Sequence, residues 1–140
     1  MKRHLLVLLS IIGLTAATLA QKETILNGKT YSVTLTQTKG KTGQRKWKWD
    51  TDELSFKGGK VTSKTMKTYE QYPTTVYSSK IDSSSGEKKI SFKMLSHSPY
   101  HVTATIELDG TVDGNNIEGT AVWVSVIGTY NYSFSGTLKP

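Results

Sequence analysis

From Lys29 onward, apolar and polar residues alternate along the chain with a period of two. Tyr31, Val33 and Leu35 alternate with Ser32, Thr34 and Thr36. Leu54 and Phe56 lead into Gly58-Gly59, and Val61 follows. A two-residue glycine turn there sets Phe56 opposite Val61 on one face. Tyr77, Ser79 and Ile81 share a parity up to the turn Asp82-Ser83-Ser84-Ser85-Gly86, and Ile90, Phe92 and Met94 alternate with Lys89, Ser91 and Lys93. Val102, Ala104, Ile106, Leu108, Gly110 and Val112 hold one parity as far as Asp113-Gly114-Asn115-Asn116, a strong turn signal. Ile117, Gly119, Ala121 and Trp123 follow, and after Gly128 come Tyr130, Tyr132, Phe134, Gly136 and Leu138.

One apolar face and one Ser/Thr/Lys face at period two predict an antiparallel sheet with one wet side. With a short strand expected around Ile25, the pattern predicts about eight strands. Short connections make sequence neighbours pair. The apolar face needs cover, which an up-and-down meander finds by closing as a small barrel or by folding over as a β-sandwich. Gly-Thr recurs at Gly110, Gly119, Gly128 and Gly136, and Gly110, Gly119 and Gly136 fall on the inward parity. Glycine inside a strand marks a bend or a close backbone approach, as a tightly curved barrel requires. Thr38 to Lys46 reads as a polar loop, and Tyr69-Glu70-Gln71-Tyr72-Pro73 as a connection of about one helical turn.

The first twenty residues read differently. Lys2, Arg3 and His4 precede the apolar run Leu5–Leu14, and Ala16, Ala17 and Ala20 supply small residues before a cleavage point at Ala20/Gln21, the form of a secretory signal peptide. The run is too short to span a bilayer, and residues 21–140 hold no apolar stretch of spanning length. The expectation is one exported domain over residues 21–140, free of transmembrane segments. The chain has no cysteine, which excludes disulfide scaffolds, thiolate metal sites, cysteine nucleophiles and Cys-linked lipid anchors. A cysteine-free exported domain fits a bacterial periplasm or bacterial secretion. Residues 21–140 contain 18 threonines, 14 serines and only two alanines, a composition that favours strands over helices.

The segments Gly110-Thr111-Val112, Asn116-Ile117-Glu118-Gly119-Thr120-Ala121, Trp123 and Tyr132-Ser133-Phe134-Ser135-Gly136-Thr137-Leu138 carry a resemblance, as do Asp52-Glu53-Leu54-Ser55-Phe56 and Gly58-Gly59-Lys60-Val61. Together they resemble small exported bacterial lipocalin-like (calycin-type) β-barrel proteins of unassigned function. The resemblance spans most of residues 21–140 and implies a lipocalin-like barrel.

The parity places Tyr31, Phe56, Tyr77, Phe92, Trp123, Tyr130, Tyr132 and Phe134 inside the barrel. An eight-stranded barrel is either filled by such side chains or holds one small ligand, and strand number permits both. A hollow barrel would bind a small apolar or amphipathic molecule, oriented by tyrosine hydroxyls and the Trp123 indole. Trp47-Lys48-Trp49, if extended, turns both indoles to one side, either outward toward a partner or inward as a plug. Lys39, Lys41, Arg45, Lys46 and Lys48 form a basic run beside them. The formal charge of +7 becomes +5 once Lys2 and Arg3 are removed. Export argues against nucleic acid as the partner of such a run and favours anionic glycans or lipid headgroups. His97 and His101 are spaced for a zinc pair only on a helix, which Pro99 opposes, and no third ligand accompanies them. No nucleophile and base can be assembled, and no cofactor motif occurs. The sequence thus supports an exported, non-enzymatic binding protein holding an apolar ligand in its barrel. The alternative is a solid-core envelope module that binds a protein or anionic glycan through the Trp47/Trp49 end or the lysine-rich face.

Overall fold

The computed structural model describes residues 25–40, 47–84, 86 and 88–140. The expected signal peptide at 1–20 lies outside these residues, as do Lys41, Arg45 and Lys46 of the basic run. Eight antiparallel strands, β1 (Lys29–Lys39), β2 (Thr51–Lys57), β3 (Lys60–Ser63), β4 (Thr75–Asp82), β5 (Lys89–His97), β6 (Thr105–Asp113), β7 (Asn116–Ser125) and β8 (Gly128–Leu138), follow one another in space as in sequence. The barrel closes where β1 meets β8, with Tyr31 opposite Leu138 and Leu35 opposite Phe134. It is an up-and-down barrel, not a sandwich, because a single sheet covers its own apolar face by closing.

The glycine turn falls where the pattern sets it. Gly58 and Gly59 take φ of +59° and +74°, and Phe56 lies opposite Val61. The eighth strand is therefore the short β3, and not a strand at Ile25, since Ile25 and Leu26 are helical. Leu26 is buried in the core cluster, so this stub serves as packing at the N-terminal end of the barrel. β6 begins at Thr105, three residues after Val102, which stands 90 % exposed in the preceding loop. Ala104 N–H bonds to His101 O and Ser98 N–H to Ala104 O, a loop closure that ends the ladder before Val102 can join it. The helical segment α1 (Lys64–Glu70) starts earlier than the sequence suggests, because Ser63 caps it by accepting from Met66 N–H at 3.2 Å. Gln71, at φ 60°, ends it in the left-handed conformation.

Alternation becomes burial. In β5 every second residue from Ile90 to Ser96 is buried and the residues between are exposed. The inward glycines are positions of close approach. Gly110 lies opposite Gly119, and Gly119 lies opposite Phe134. A Cβ at Gly119 would stand 2.2 Å from Asp109 O, and one at Gly136 would stand 1.9 Å from Ser32 O. The sheet is coiled so tightly at these strands that only hydrogen fits between them. Gly119→Ala and Gly136→Ala are each expected to lower stability by about 2–3 kcal/mol. The outward Ser133→Ala should stay within about 0.5 kcal/mol. Chemical denaturation of the three variants checks this, and glycine variants as stable as the parent would contradict it.

Candidate functional site

Eight strands running alternately up and down divide the connections between two ends. One end carries the β1–β2 connection, α1 with the segment to Thr74, the β5–β6 loop and the β7–β8 turn at Val126-Ile127. The Trp47-Lys48-Trp49 motif lies in the first of these.

Asp52 builds this end. It is a buried carboxylate one residue into β2. Its Oδ1 accepts from the backbone N–H of Glu53 at 2.7 Å and of Thr65 at 2.9 Å. Its Oδ2 accepts from the Trp49 indole at 3.2 Å and from the Ser63 hydroxyl. One side chain thus ties β2, the end of β3, the first turn of α1 and the incoming loop together. Burial pushes its carboxyl above the usual carboxylate range, and the Ser63, Thr65, Glu53 and Trp49 donors draw it only partly back.

The two tryptophans part company here. Trp49 is 2 % exposed and packs edge-on against Tyr132 at 4.9 Å, so it is a core residue and not part of an exposed surface. The bond to Asp52 draws its indole inward. Trp47 is only partly buried and lies between Tyr69 and Trp123, with ring centroids at 5.0 and 5.5 Å and near-parallel planes. Its indole N–H donates to Glu70 Oε1 at 3.1 Å. Trp123 continues the stack to Tyr130 at 5.3 Å, carrying it from the rim into the interior.

All eight aromatic residues assigned to the interior are buried. Phe56 meets Tyr31, Tyr77 and Phe92 edge to face, with centroids 5.2–6.1 Å apart. These are contact distances, so the rings of β1, β2, β4 and β5 meet across the middle of the barrel. Clefts also run along the outside. One of about 540 Å³ is lined by Ser32, Thr34, Thr51, Glu53, Lys64 and Thr68 among others, and one of about 530 Å³ lies over β6, β7 and β8.

What sequence reasoning missed is the apolar rim. Among the described residues, Tyr69, Tyr100, Val102, Val126 and Ile127 are exposed in the connections at the Trp47 end, and Leu95 and Val76 are exposed on the outer wall, Val76 level with Lys60 beside the Gly58-Gly59 turn. Ile81 is the one other large hydrophobic left exposed, near the opposite end. The available signal was Val126-Ile127, two β-branched apolar residues in a turn, where polar residues are the rule. Lys39, at the end of β1, and Lys48 are exposed at the same end. His97 ends β5 and His101 lies in the loop after it, both exposed. Among the described residues no group of three metal-ligating side chains forms.

Set against known proteins, the chain matches no family model, no curated protein and no solved structure. The fold and the site define an all-β, eight-stranded up-and-down barrel with an aromatic interior.

Asp52→Asn leaves buried donors without an acceptor and is expected to cost about 2–3 kcal/mol. The folded protein holds the Asp52 proton more tightly than the unfolded chain does. Its contribution is therefore full below the ordinary carboxylate pKa and is lost as pH rises through the raised folded-state value. The stability gap between parent and variant should narrow from about pH 4 toward neutrality. Melting curves across that range check it, and a gap that widens contradicts it.

Proposed function

We propose that this is an exported, non-enzymatic binding module whose barrel is a solid scaffold and whose working surface is the Trp47 end. The observation that carries this reading is the distribution of exposed large hydrophobics, five of eight of which lie in the connections at that end among the described residues. Soluble proteins rarely leave such side chains clustered without a partner. Support also comes from the rigid base beneath them: the Asp52 network and the stack from Tyr69 through Trp47 and Trp123 to Tyr130 hold the rim in place. A preorganised surface loses less freedom on binding. Carriage of a ligand inside the barrel would need a chamber of roughly 300 Å³ or more. The edge-to-face cluster around Phe56 argues against one.

Hydrogen exchange on the exported protein, alone and with a bacterial envelope extract, tests this. Added protection is expected in residues 47–50, 64–74, 98–104 and 126–128, the connections at that end. Protection confined to the barrel strands, or to the opposite end, would contradict it.

A further inference from the structure

We propose that the Trp47 end docks on an anionic phospholipid surface, an inference that rests on the binding-module reading above and names its partner. The shape of the rim is the first argument. Tyr100 and Val102 stand on the β5–β6 loop, Val126 and Ile127 on the β7–β8 turn, and Tyr69 at the end of α1. These are tips of separate connections at the end where Trp47 stacks on Trp123. Apolar tips on separate connections suit a soft, flat, apolar layer that side chains can enter. They do not form the groove that an extended peptide or an amphipathic helix requires.

The kinds of side chain are the second argument. Valine and isoleucine at the tips fit the acyl boundary, and tyrosines beside them fit the headgroup level, where amphipathic rings collect. A glycan surface would leave Val102, Val126 and Ile127 without a use, since sugars are recognised by aromatic faces and polar groups.

Charge is the third. Lys48 and Lys67 are exposed at this end, and Lys64 is engaged by Glu53 at 3.4 Å. Of the carboxylates in these connections among the described residues, Asp52 is buried, Glu70 is half-buried and accepts the Trp47 indole N–H, and Asp50 is exposed. The acids Asp109 and Asp113 lie on the outer wall of β6, where Lys93 and Lys89 engage them at 3.6 and 3.9 Å. Cations around an apolar tip add attraction to an anionic leaflet and orient the barrel end-on to it.

Co-sedimentation of the exported protein with phosphatidylcholine vesicles, with and without phosphatidylglycerol, tests the proposal. Binding to the anionic vesicles is expected to exceed binding to neutral ones by about tenfold or more at low salt, and to weaken as salt rises. Val102→Ser combined with Ile127→Ser should lower it by about tenfold or more. Ile81→Ser, at the other end, should leave it unchanged. Lys48→Glu with Lys67→Glu should abolish the preference for the anionic lipid. All five positions are exposed, so unaltered melting curves will confirm that the variants fold. No association with either vesicle, or association indifferent to the Val102/Ile127 substitutions, overturns the proposal. If vesicles fail while an envelope extract still protects the rim from exchange, the lipid partner falls and the binding-module reading stands. If both fail, both fall.

Discussion

Closing one sheet upon itself is the constraint from which the rest of this molecule follows. A meander of eight strands with a single apolar face has nowhere else to hide that face. Closure at this strand number leaves an interior narrow enough for side chains to fill, and here aromatic rings line it. The tight coil demands that adjacent strands come closer than a Cβ allows, and Gly119 and Gly136 supply those contacts. Phe92 and Phe134 lie over the glycine positions, so the bulk that the glycines give up returns as ring area from the facing strands.

On the proposed reading, a solid barrel moves function away from its interior. Its strands offer an outer wall of Ser, Thr and Lys, with cross-strand ion pairs that contribute little to stability. Its two ends differ in kind. One is packed by Leu26 and bounded by tight turns at Gly58-Gly59 and Gly114. The other carries the longer connections, the Asp52 network and the apolar tips. Burying a carboxylate is costly unless donors surround it, and Asp52 has four. That arrangement fixes a loop, a strand end and a helix start as one unit, which is more rigidity than a connection needs for connecting alone.

Most of the fold was legible in the sequence because period-two alternation maps directly onto inward and outward faces. The Phe56–Val61 pairing, the inward aromatics and the role of the strand glycines all come from that one rule. The errors arise where the rule stops applying. Val102 kept the parity of β6 yet stands in a loop, because backbone bonds between Ser98, His101 and Ala104 divert the chain first. Ile25 is apolar but helical. Trp49 and Trp47 share a parity and have different fates, decided by a hydrogen bond to Asp52 and a stack on Trp123, neither of which spacing reveals. The apolar rim was hidden because its members lie far apart in sequence, and only the up-and-down topology brings their loops to one end.

On the proposed reading the barrel is full and binding belongs to its rim. Native mass spectrometry of the protein, as isolated and after incubation with a bacterial lipid extract, tests this. Under gentle collisional activation, which strips surface-bound lipid before a buried ligand, the protein is expected to retain only its own mass. A stoichiometric small molecule that survives activation and leaves only on unfolding would place a ligand inside the barrel and contradict the account.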